Sequence, residues 1–149
     1  MHKYQLMKKL DKAWEALLES YVGLSDYEMT KATVPGDWTV KDIIAHVTWW
    51  EEEALTHLPT ILAGGKPQRY SDLYGGIDAF NALMIEQKKN ASLSEVLRFR
   101  DETHHRLIDF LNTVPEDQFS PKTRFRHRLR LDTYSHYSKH AEAIRLIRK

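Results

Sequence analysis

The sequence predicts an all-α fold, a four-helix bundle of the up-and-down type, with one longer crossover that carries a short accessory helix. Three observations predict it. Apolar residues recur at three- and four-residue spacing in four long stretches, no stretch alternates with the two-residue period of a strand, and glycine and proline fall mostly between the periodic stretches. Helices of this kind bury their apolar stripes most readily against one another.

The first helix spans about Tyr4 to Tyr21. Leu6, Leu10, Ala13, Trp14, Leu17 and Tyr21 share one stripe, while Lys8, Lys9, Asp11, Lys12 and Glu15 lie elsewhere, and Gly23 is a stop signal. A polar loop follows through Lys31 and ends at Pro35-Gly36-Asp37. Thr39 and Asp42 then form a capping box that opens the second helix, which runs to about Ala63 before Gly64-Gly65. Its inner face carries Ile43, Val47, Trp50, Ala54, Leu58 and Ile61, with His46 on the flank and Pro59 as a point of kinking or division. Lys66 to Gly76 reads as loop, and Ile77 to about Lys89 as the accessory helix.

Ser92-Leu93-Ser94-Glu95 is a second capping box. It opens the third long helix, with Val96, Leu97, Arg100, His104, Leu107, Ile108 and Leu111 on one face and Val114-Pro115 as its end. Pro121 to Arg130 reads as a basic, irregular connector. The last helix covers Asp132 to Arg148, and Leu129, Thr133, His136, His140, Ala143 and Ile147 recur at helical spacing along it.

A chain of 149 residues is expected to form one domain, 1–149. Apolar content of 42% against 29% charged residues excludes a disordered chain. No apolar run is long enough to span a bilayer and no leader pattern opens the sequence, so neither membrane nor export is expected. The lack of cysteine removes disulfides, thiolate ligands and cysteine nucleophiles, and fits a cytoplasmic home. A formal net charge of +1 gives no global field for nucleic acid. No glycine-rich phosphate loop, nucleophile elbow or paired-carboxylate signature is present, so any chemistry centres on a metal.

His136 and His140 are four residues apart, which stacks their imidazoles on one helix face about 6 Å apart. Such a pair binds one metal ion when another element supplies further ligands, and otherwise stands as hydrogen-bonded core histidines. His46, on the second helix, is the candidate third ligand. His104 is its rival, or a boundary histidine hydrogen-bonded to a neighbouring helix. Trp50 on the inner face, Tyr137 beside His136, and Arg126 are the candidate substrate contacts for a small molecule. Arg126 belongs to a run in which Lys122, Arg124, Arg126, Arg128 and Arg130 alternate. If extended, that run sets several cations on one side, suited to a carboxylate or phosphate; it also fits a solvated loop.

Trp38-Thr-Val-Lys-Asp-Ile-Ile-Ala-His46-Val47, followed by Trp50, resembles the second-helix signature of the DinB-like (damage-inducible) superfamily of four-helix bundles. Tyr134-Ser-His-Tyr-Ser-Lys-His140-Ala-Glu-Ala-Ile144 is similar to that superfamily's closing His-x-x-x-His helix. The resemblance implies a divalent ion on His46, His136 and His140, zinc or nickel first and manganese or iron next. Ser135-His136-Tyr137 and Ile77-Asp-Ala-Phe-Asn81 also resemble the ClbS/DfsB branch, which includes colibactin self-resistance with cyclopropane-hydrolysing activity. The last helix of that branch often lacks the second histidine, which this chain keeps as His140.

The implied function is a metal-dependent transferase or hydrolase acting on a small molecule in stress or detoxification. Its alternative is a non-catalytic sequestering protein of the ClbS/DfsB type. Members of the superfamily often pair, so a homodimer is expected. Light scattering at micromolar concentration should return twice the chain mass of 17.5 kDa, and a clean monomer mass would refute the pairing.

Overall fold

The computed structural model describes residues 2–31 and 38–148, so the predicted Pro35-Gly36-Asp37 turn lies outside the described residues. Four principal helices build the bundle: α1 (His2–Ser20), α3 (Val40–Leu62), α6 (Leu93–Thr113), and a last one divided into α7 (Arg124–Asp132) and α8 (Tyr134–Ile147). Smaller elements are α2 (Asp26–Thr30), α4 (Tyr70–Leu73), α5 (Ile77–Lys88) and a 3-10 turn, Glu116–Phe119. No strand occurs among the described residues. α1 packs along α8, and α3 packs along α6 and touches α2, α5, α7 and α8 as well. α3 is the hub.

The helix starts follow from side-chain chemistry. Both expected capping boxes form: Thr39 Oγ1 accepts from the Asp42 N–H at 2.9 Å, and Ser92 Oγ from the Glu95 N–H at 3.1 Å. In each, the acidic side chain returns the bond to the cap residue's N–H, so two backbone donors that a helix end leaves free are satisfied. α3 runs through Pro59 without dividing. Gly64, with φ +86°, turns the chain away in a conformation that a side chain would strain. The accessory helix falls where the periodicity puts it, and Phe80 and Met84 bury its inner face against Trp50.

Three stretches read as loop are helical, the shortest being α4, a single turn within Lys66 to Gly76. Ser25 and Glu28 close a third capping box that opens α2, and Met29 anchors its single turn in the core. The larger correction is α7. Pro121 to Arg130 is not an irregular connector: Thr123 Oγ1 caps a helix at the Arg126 N–H, 3.1 Å away. Phe125, Leu129 and Asp132 are buried at helical spacing. Alternating arginines drew attention away from those three positions, which carry the period that burial enforces.

The last helix breaks at Thr133, whose φ of −126° and ψ of −101° leave the helical region. Its Oγ1 donates to the Leu129 carbonyl at 2.6 Å, and its own carbonyl still accepts from the Tyr137 N–H at 2.8 Å. The break costs few backbone bonds and lets α7 and α8 take separate directions. It also shifts the stripe: α8 buries Tyr134, Tyr137, Ala141 and Ile144, and the histidines stand one residue, about 100°, to the side.

If α7 is a packed helix, Phe125→Ala should cost about 3–5 kcal/mol, because a ring with no exposed surface leaves a cavity against Phe119. Arg130→Ala, on the exposed side of the same helix, should stay within about 0.5 kcal/mol. Chemical denaturation of both variants decides between a helix and a solvated connector.

Candidate metal centre and its pocket

Three histidines from two elements meet at one point. His46 comes from the second turn of α3, and His136 and His140 from successive turns of α8. The Nε2 atoms of His46 and His136 are 2.9 Å apart, and those of His136 and His140 are 3.1 Å apart. One ligand atom from each of the three lies within 4.8 Å of the others, so the group could hold a metal ion. The rings of Trp38 and His46 meet edge to face, centroids 5.0 Å apart.

Electrostatics favour the neutral, ligating form. Burial, then the charges of His140 and Lys139, push His46 down to about 3. Burial and Lys139 push His140 down to about 4, and burial holds His136 well below the usual imidazole range. Each lone pair is therefore available at neutral pH. The donor set fits a divalent ion of borderline softness: imidazole nitrogens, with no thiolate. The geometry points the same way. His136 Nε2 faces two other Nε2 atoms at once, and its Nδ1 is buried without a partner. Ring protons on His46 and His140 can meet His136 only by sharing its single Nε2 lone pair, whereas one cation accepts three converging lone pairs.

The triad opens on a cavity of about 410 Å³ lined by His46, His136, Trp50, Asn81, Arg128 and Asp132, with Tyr70, Ile77, Leu131 and Lys139 at its margin. Trp50 lines the pocket. Arg126 and Tyr137 do not. The Arg126 guanidinium donates to the Phe119 carbonyl at 3.0 Å, because the helical turn of α7 carries it away and brings Arg128 round instead. Tyr137 has no exposed surface, and its hydroxyl donates to Glu51 Oε2 at 2.6 Å. It faces the core because α8 buries the stripe beside the histidines.

Arg128 was one of five alternating cations in the sequence; the period of Phe125, Leu129 and Asp132 would have separated it from the rest. Its Nε donates to Asp132 Oδ2 at 2.6 Å, and its Nη2 to the Tyr70 hydroxyl at 2.8 Å. Tyr70 in turn donates to Glu53 Oε1 at 2.8 Å. Burial raises the Asp132 carboxyl to about 6, against the opposing pull of Arg128. The carboxyl lines the same cavity as His46 and His136.

His104 does not join the metal group. Its Nδ1 lies 2.6 Å from Glu51 Oε2, and its ring stacks on Trp14 with centroids 3.7 Å apart. It is the boundary histidine bonded to a neighbouring helix. Glu51, wholly buried, was hidden in the acidic run Glu51-Glu52-Glu53, which reads as a wet face.

The depressed imidazoles fix the sign of a pH effect on the metal-free chain. Unfolded histidine binds its proton near pH 6.5, but the folded triad does not until about pH 4 or below. Stability is therefore full above about pH 6.5 and falls as pH drops, by up to about 1.4 kcal/mol per pH unit for each histidine. Urea unfolding of chelator-treated protein between pH 7.5 and 5 should show the loss. His140→Gln should lessen it by about a third, which separates the imidazoles from Asp132 and Glu51, whose raised carboxyls titrate with opposite sign.

Comparison with known proteins agrees with this architecture. DfsB, described as a sibling lethal factor precursor, superposes with a TM-score of 0.77 at 19% identity, covering 98% of this chain and 94% of that one. The crystal structure of an uncharacterised protein from Escherichia coli UTI89 superposes with a TM-score of 0.79 at 12% identity, covering 97% and 91%. At these identities the likeness concerns the fold. No curated protein matches the sequence. The sequence profile of the DinB superfamily matches residues 9–142, nearly the whole bundle with all three histidines inside it, and the chain belongs to that superfamily.

Proposed function

We propose that the protein is a metal-dependent enzyme of the DinB type, in which His46, His136 and His140 hold a divalent ion, zinc or nickel, and a small molecule reacts in the adjoining cavity. The observation that carries this is the convergence of three neutral imidazoles, one buried and two half-buried, of which His46 and His136 line a cavity that also holds Trp50, Arg128 and Asp132. A three-histidine site leaves coordination positions open, and a divalent ion there supplies Lewis acidity, lowering the proton affinity of an oxygen or sulfur ligand. The chain's own residues supply the rest. Trp50 walls off water, Arg128 is fixed by two partners, and Asp132 can take up or release a proton near neutral pH. A transferase or hydrolase acting in stress or detoxification is the role this chemistry suits.

Metal analysis of the purified protein and of three single variants tests the site. His46→Ala, His136→Ala and His140→Ala should each lose most of the bound metal while keeping helical circular dichroism, because the apolar core is independent of the ion. His104→Gln should keep it. Full retention in His46→Ala would remove α3 from the site. Turnover then separates an enzyme from a sequestering protein: an enzyme consumes many equivalents of an electrophilic small molecule, whereas a binder saturates at one per chain.

A further inference from the structure

The cavity beside the triad has a one-sided hydrogen-bonding character. Trp50 Nε1 donates to Asn81 Oδ1 at 2.8 Å, which occupies the oxygen of that amide and leaves its amino group as a donor. Arg128 spends Nε on Asp132 and Nη2 on Tyr70, so its Nη1 remains. Tyr70 offers no acceptor beyond the bond from Arg128, and its proton goes to Glu53. Lys139 is exposed at the rim, has no carboxylate partner among the described residues, and lies near enough to depress all three histidines. Against these donors stand Asp132, already paired with Arg128, and the lone pairs of His46 and His136, which converge on one another and on His140 as a metal group. The rest of the rim is apolar, with Ile77 54% and Leu131 48% exposed.

We propose that this cavity takes a small molecule bearing a carboxylate, received by Arg128 Nη1, Lys139 Nζ and Asn81 Nδ2, with its apolar body against Trp50, Ile77 and Leu131. Two cations and an amide N–H group complement an anion that only accepts; a neutral head would forgo the charge-assisted bonds and a cationic head would be repelled. The arginine is preorganised by its two partners, so a ligand need not immobilise it. The proposal names the substrate class for the function proposed above. It rests on reading this cavity as the substrate site, and a cation on the histidines would add to the same positive field.

Calorimetric titration with benzoate, benzamide and benzylamine tests it, with metal content measured on the same samples. Benzoate should bind at least about tenfold more tightly than benzamide, the worth of a charge-assisted contact, and benzylamine should bind least. Lys139→Glu should weaken benzoate by about tenfold or more, and Lys139→Met by less. Arg128→Lys, which keeps the charge but loses the fork, should also weaken it. The exposed Lys139 variants carry the test should any Arg128 variant fail to fold. Equal binding of benzoate and benzamide, no benzoate binding at millimolar concentration, or an unchanged affinity in Lys139→Glu overturns the proposal. A carboxylate preference in protein that holds no metal would sink the metal reading and leave this one standing. Bound metal with no such preference would do the reverse.

Discussion

Glu51 ties the bundle together at a single buried carboxylate. Its Oε2 receives the Tyr137 hydroxyl from α8 and lies 2.6 Å from His104 Nδ1 on α6, while Trp14 of α1 stacks on that histidine. Four helices therefore meet around one carboxyl group that has no exposure to water. Burial pushes the carboxyl up, and its two partners pull it back, so the group is tolerable only while both bonds are made. Such a network has little slack. It sets how far α8 is rotated, and rotation is what the site needs most: with Tyr137 turned inward to Glu51, His136 next to it must face the flank where His46 stands.

The second constraint is the break at Thr133. A straight helix from Arg124 to Ile147 would carry Arg128 and Asp132 along the same axis as the histidines. With the break, the end of α7 and the start of α8 form two walls of one cavity. The hydroxyl of Thr133 makes the break inexpensive by bonding the Leu129 carbonyl within the core. Local backbone chemistry thus shapes the pocket, and the packing of α3 against α7 and α8 closes it.

The cavity joins two kinds of group that differ in what burial does to them. Imidazoles lose their protons when buried and become ligands; carboxyls gain protons and become acids. His46 and Asp132 show both effects within one cavity, at about 3 and about 6. Arg128 keeps its charge at every relevant pH, and its fixed orientation makes it a constant in a pocket where its neighbours titrate.

The sequence by itself determined the bundle, the capping boxes at Thr39 and Ser92, the accessory helix, and the i,i+4 histidine pair, because helical period and capping are local properties. The likeness of two segments to one superfamily supplied His46 as well. It could not determine the rotation of the last helix: stripes one residue apart differ by about 100°, and both contain residues that can be buried. Only the tertiary structure decided that Tyr137 takes the core position, since its partner Glu51 lies 86 residues away in what looks like a solvated acidic run. It likewise made α7 a helix, sent Arg126 to the Phe119 carbonyl and brought Arg128 to the pocket. Those outcomes depend on which buried polar groups find partners across helices, and no spacing within one helix records that.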